Sequence, residues 1–293
     1  MLDGIMLLWF ILTGISVIFV VIDVWRTPEV TALRWGFIVL TVFAGPVAAF
    51  FYVLSCREPL PGTHEQYVAP IWKQVLGSTM HCASGDGLGI ITGAAIASIL
   101  ELPFALNVTL EYVLGFGFGW LFFQAFAMRD MVGGNYLKSL KITFIPEFFS
   151  MNLLMAGMLI VSKPWMAELA ESKDPFNPSF WFIMSMALIV GFICAYPINW
   201  WLVTRHLKHG MMTIRPTSTS EHAGHDMASM NHDSQHSEHD GASVTPKEGE
   251  QTDRGMTMPL PPPLGTILMV GVLSAAILAA VITILVFMLP AAN

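Results

Sequence analysis

Seven stretches of about twenty residues, 5–24, 36–54, 75–100, 104–128, 140–161, 180–203 and 266–289, are apolar and long enough to cross the roughly 30 Å hydrocarbon core of a bilayer as helices. Lipid offers no partner to backbone N–H and C=O groups, so each such stretch must satisfy them within itself. The expected fold is therefore an all-α integral membrane bundle of about seven transmembrane helices. The stretch 75–100 is interrupted by His81, Asp86 and several glycines. It reads as a full span, with a broken or re-entrant helix as the alternative. The first stretch has neither a basic region ahead of it nor a small-residue cleavage site, which favours a retained helix over a removed signal peptide.

Composition agrees with lipid as the solvent, since 54% of residues are hydrophobic and 12% charged, against roughly 25% charged in soluble proteins. The net charge of -7 is carried by 221–253, where eight acids face Lys247 alone. The remainder is balanced and presents no basic face of the kind nucleic-acid binding needs. Cys56, Cys82 and Cys194 lie too far apart to suggest a disulfide framework or a Cys-x-x-Cys site. With seven spans, four of the 14 Lys and Arg residues (Arg26, Arg34, Lys163 and Lys173) fall on one side and the rest on the other. The positive-inside rule then places the amino terminus, and the connection before the last span, in the cytoplasm of a cell inner (plasma) membrane.

That connection, 211–263, loses periodicity and fills with Ser, Thr, Gly, Pro, His and acids, so it is expected to be a disordered loop. The chain divides accordingly into two N-terminal helices (1–71), a polar-lined helical core (72–210), the connector (211–263) and a last helix (264–293). His222, His225, His232, His236 and His239 are interleaved in the connector with Met227, Met230 and several acids. Imidazole suits zinc, copper and nickel, and thioether adds a preference for reduced copper. A flexible stretch with these donors is expected to bind a transition metal ion, Cu first and Zn second, although a solvated polar linker has much the same composition.

Within the spans, Gly77, His81, Gly85, Gly89, Gly93 and Ala97 recur every four residues and form a flat ridge for close helix contact. Such Gly-rich faces also suit an oligomer. Cys82 and Asp86 are four apart and stack on the adjoining face, and an ionisable residue inside a span marks function by default. Glu147, Met151, Met155 and Met158 share a face of the fifth span, where the methionines fit core packing better than a cation path. Pro146 loosens the helix beside Glu147. Glu111, Gln124, Asn152, Tyr196 and Asn199 supply further polar groups to an interior. His206 and His209, three apart at the end of the sixth span, are expected on one helix face as an entrance.

Four motifs, Met80-His-Cys-Ala-Ser-Gly-Asp86, Glu111-Tyr-x-x-Gly-Phe, Pro146-Glu-x-x-Ser-Met151 and Tyr196-Pro-Ile-Asn-Trp-Trp-Leu202 continuing to Lys208-His-Gly-Met211, resemble those of a bacterial family of polytopic membrane proteins described as a domain of unknown function. The resemblance covers about 72–211 and implies a membrane location and a shared helical core, with no activity attached. The connector is similar in composition to metal-binding tracts of copper-resistance proteins and His-rich loops of zinc transporters.

The expected function is binding and movement of a transition metal, with the connector gathering the ion and an intramembrane site of His81, Cys82, Asp86 and Glu147 receiving it. A cytoplasmic connector favours export. Partners are the lipid bilayer and the metal ion. The alternatives are a proton-coupled carrier of a small solute working through Asp86 and Glu147, and a non-catalytic assembly subunit. A haem-bearing oxidoreductase subunit is disfavoured, because only His81 lies well inside a span and bis-His ligation needs two. No nucleophile elbow, phosphate loop or zinc-protease helix is present in the sequence, so a transporter or metal-binding protein is expected rather than an enzyme.

Overall fold

The computed structural model describes residues 2–27, 31–57, 59–60, 62–129, 132–208, 210 and 262–289. Within them the chain forms α1 (Leu2–Asp23), α2 (Thr31–Ser55), α3 (His64–Val68), α4 (Ile71–Ile99), α5 (Phe104–Gly117), α6 (Ala125–Arg129), α7 (Tyr136–Glu168), α8 (Pro178–Thr204) and α9 (Leu264–Met288). A π-helical segment, Phe118–Gln124, joins α5 to α6 and makes them one span. Seven helices among the described residues are long and apolar enough to cross a membrane. Residues 71–99 form one continuous helix rather than a re-entrant segment. The proposed disordered connector lies outside the described residues.

Local chemistry sets several boundaries. Pro70, Pro103 and Pro263 precede α4, α5 and α9, where the fixed proline φ suits a helix start and no amide hydrogen is left orphaned. Asn135 accepts from the Lys138 amide at 3.0 Å and caps α7, while Asn177 accepts from the Ser179 amide at 3.0 Å and caps α8. α2 breaks at Gly45, whose φ of 53° is left-handed and precedes Pro46. A side chain at Gly45 would strike the Thr13 hydroxyl of α1, so the break also lets α1 lie close against α2.

α4 and α7 are the inner helices: 67% of the most apolar window of each is buried, against 11% for α1. α4 packs against α2, α5, α7 and α8, and α9 lies on α7. The glycine ridge explains the closest of these contacts. Added side-chain atoms at Gly85 would meet Gly119 and Phe123, at Gly89 the Leu114 carbonyl, and at Gly93 the Glu111 backbone. The ridge is thus spent inside the chain, on α5 and the π-helical segment. At Gly85, Gly89 and Gly93 the helix that closes the ridge is the chain's own. Met151, Met155 and Met158 are fully buried in the apolar core, as expected for packing residues.

The N-terminal hairpin has its own polar anchor. Arg57 Nε donates to Asp23 Oδ2 at 2.9 Å and the Tyr52 hydroxyl donates to the same oxygen at 3.0 Å. Thr27 Oγ1 lies 2.8 Å from that hydroxyl. Together they tie the end of α1 to the end of α2.

Candidate metal centre

Cys82 and Asp86 lie one turn apart on α4 and face α7, where Glu147 follows Pro146. Proline has no amide hydrogen, so the Ile142 carbonyl loses its helical donor and the helix around Glu147 is loosened. The Cys82 thiol donates to Glu147 Oε2 at 3.0 Å and lies 3.8 Å from Asp86 Oδ2. One ligand atom from each of the three residues fits within 4.8 Å of the others. All three side chains are fully buried.

Around this group stands a ring of polar side chains. Lys208 Nζ lies 3.0 Å from Cys82 Sγ and donates to Asn199 Oδ1 at 2.7 Å. Gln124 Nε2 reaches the same sulfur at 3.4 Å, and Ser150 Oγ lies 3.3 Å from it. Asn199 Nδ2 in turn donates to Ser150 Oγ at 2.8 Å and fixes that hydroxyl. Burial favours a neutral amine at Lys208, but Cys82, Glu147 and Asp86 outweigh it and hold its pKa above the ordinary lysine value. Lys208 is thus the basic partner of the acidic group.

Two oxygens in this ring lack outside partners. Asp86 Oδ1 and Glu147 Oε1 are buried with no donor outside the pair, and the two carboxyls lie close enough to share a proton. Both point at Gly119, where an added Cβ would overlap them. Buried carboxylate oxygens without a donor are costly, and a cation or a proton is what would satisfy them. A thiol and two carboxyls with free lone pairs, in a site that water cannot enter freely, make a donor set suited to a divalent cation.

The expected site residues are brought together only in part. Cys82, Asp86 and Glu147 converge. His81 is buried on the next face of α4, with Nε2 at 3.2 Å from the Phe123 carbonyl oxygen and its ring beside Gly36 of α2. It braces the π-helical segment instead of joining the group. His206 is exposed and has a φ of 56°, because α8 ends at Thr204, so the helix-face spacing assumed for it does not apply. His209, His222, His225, Met227, Met230, His232, His236 and His239 lie outside the described residues. Lys208 and Ser150 were not singled out from the sequence as site residues, though both stand in the quoted motifs.

Other polar residues form separate clusters. Lys163 Nζ donates to Glu111 Oε1 at 2.7 Å and to Asn107 Oδ1 at 3.0 Å. The Tyr112 hydroxyl donates to Asn152 Oδ1 at 2.9 Å, and Asn152 Nδ2 donates to Ser274 Oγ at 3.1 Å, which ties α5, α7 and α9 together.

Seven lipid-length helices around buried carboxyls, a thiol and lysines define a multi-pass, all-α membrane protein with a polar interior. Residues 71–208, which supply the whole of the Cys82 group and its ring, match the family described as Domain of unknown function (DUF4396). No curated protein and no solved structure gives a significant match to the chain.

Proposed function

We propose that this protein binds a borderline divalent metal ion at Cys82, Asp86 and Glu147 and carries it across the membrane. The observation that supports this best is the convergence of three ligand atoms within 4.8 Å while Asp86 Oδ1 and Glu147 Oε1 stay buried with no donor outside the pair. One sulfur and two carboxylate donors, without imidazole or thioether, suit zinc better than reduced copper. Met80, the nearest thioether on α4, accepts instead from Ser55 Oγ at 3.7 Å. In this reading copper, the first choice from the connector's composition, gives way to zinc at the intramembrane site.

The connector 211–263 then acts as a collector on the cytoplasmic side of the plasma membrane, with His206 and His209 between it and the core, and the direction is export. The division into 1–71, 72–210, 211–263 and 264–293 belongs to the same proposal, with the second part holding the site. The decisive experiment is elemental analysis of detergent-purified chain, intact and with 211–261 deleted, after equilibration with zinc or copper and removal of free metal. The deletion variant is expected to keep about one zinc per chain, and Cys82→Ala in that background to lose it. No zinc in the deletion variant would refute the intramembrane site.

Lys208 yields a second expected result. Its Nζ sits against the ligand sulfur, so it competes with an incoming cation and must withdraw for one to bind. Lys208→Met is expected to tighten zinc binding about tenfold, as read by chelator competition. The metal-free variant should melt at a lower temperature than wild type, because its buried acids have lost their basic partner.

A further inference from the structure

The metal-transport reading requires a second way out of the bundle, and the structure holds one candidate. Glycine contacts give the direction of the seam between α4 and α5. From Gly85 against Gly119, through Gly89 against Leu114, it runs to Gly93 against Glu111. α7 follows the same seam from Glu147 to Lys163, a rise of about 24 Å at 1.5 Å per residue, or most of a bilayer core. Glu111 and Lys163 therefore stand near the opposite end from the Cys82 group.

At that end Lys163 and Glu111 form a buried ion pair, with Asn107 as the second acceptor of the ammonium. An ammonium has three hydrogens, and these two contacts use two. Lys163 and Asn107 also line an open cleft of about 670 Å³, together with Glu101, Lys173, Asp174 and apolar side chains. Glu101 has a φ of 49° because it ends α4, with the Leu102 amide turning back to the Ala97 carbonyl at 2.9 Å. Between the two polar ends the seam is shut at Gly115, which lies against Ile90 and the Met151 methyl, with the Tyr112–Asn152 pair nearby. A buried ion pair is costly to desolvate, and ionisable residues inside a membrane bundle commonly line ion pathways.

We propose that Glu111 and Asn107 form a second cation site, the exit gate of the pathway, which the Lys163 ammonium occupies at rest and vacates when a divalent cation arrives. The inference rests on the metal-transport reading above. Glu111 would be the ligand and Lys163 the plug, so the two residues have opposite effects on flux.

The test separates binding from movement. Purified full chain is titrated with zinc alone for equilibrium binding, and the same protein in liposomes enclosing a zinc-sensitive dye is assayed for flux. Glu111→Gln/Lys163→Met removes both charges together, which a buried pair tolerates well. This variant is expected to bind zinc within about twofold of wild type while its flux falls about tenfold or more. Lys163→Met alone leaves the ligand without its plug and is expected to raise flux at low zinc. Wild-type flux in the double variant, or equal loss in both, makes the pair structural and overturns the gate. Wild-type flux at background overturns it too, and the binding titration then shows whether the Cys82 site survives as a binding site without transport.

Discussion

Glu147→Gln and Cys82→Ala are each expected to weaken zinc binding about 100-fold or more, equivalent to about 2.8 kcal/mol, in the chain lacking 211–261. The glutamine keeps the shape of the side chain but puts an amide where a carboxylate oxygen would meet the ion. Its NH₂ group can also donate to Asp86, which satisfies one of the unpartnered oxygens internally and removes the reason for a cation to enter. Cys82→Ala removes the one soft donor and, with it, the acceptor that holds Lys208 Nζ and Gln124 Nε2. The comparison residue is His81, buried as deeply but turned towards Phe123 and α2. His81→Ala is expected to cost less than tenfold in affinity, because it acts only on the placement of the π-helical segment. Chelator competition with purified variants reads all three. Equal losses at His81, Cys82 and Glu147 would indicate general disruption of the bundle and would contradict the assignment of ligands.

What could be read beforehand follows from what the bilayer leaves undecided. Lipid permits few spanning structures, so apolar length alone marked the helices. Cys82 and Asp86 could be paired because helical spacing holds within α4, and Glu147 stood out as a carboxyl inside a span. Lys208 could not be found that way. α8 ends at Thr204, and the Leu207 and Lys208 amides turn back to the Leu202 carbonyl at 3.0 and 3.2 Å, which brings the lysine side chain inwards against all spacing rules. The same ending defeated the spacing argument for His206. The apolar stretch stops near 161 and so puts Lys163 among the connecting segments, whereas α7 continues to Glu168 through Pro164. The glycine ridge was legible as a ridge, but periodicity does not say which helix will cover it. Only the fold gives that partner, and with it the order of residues along the seam.

Gly119→Ala is expected to strike the site directly. Its Cβ would overlap Asp86 Oδ1 and Glu147 Oε1, and those carboxyls sit on α4 and α7, the two most enclosed helices. Neither can retreat without breaking contacts of the Cys82 group, so the cost should reach the upper end of the roughly 1–3 kcal/mol seen for overpacked cores. Zinc binding should be lost as well, since the methyl fills the space on which both free oxygens converge. Helix propensity works in the opposite direction, because alanine is favoured over glycine by about 1 kcal/mol in a helix interior. Gly117, two residues earlier, has nothing within 4 Å of an added Cβ and isolates that effect. Gly117→Ala should therefore leave the melting temperature unchanged or raised and zinc affinity intact. Thermal unfolding in detergent and zinc titration of the two variants provide the measurement. If Gly119→Ala behaves like Gly117→Ala, the two carboxylate oxygens do not meet at this glycine, and the site as drawn is wrong. If Gly119→Ala loses zinc under conditions where it is still folded while Gly117→Ala keeps it, the space beside Gly119 is the place where the ion sits.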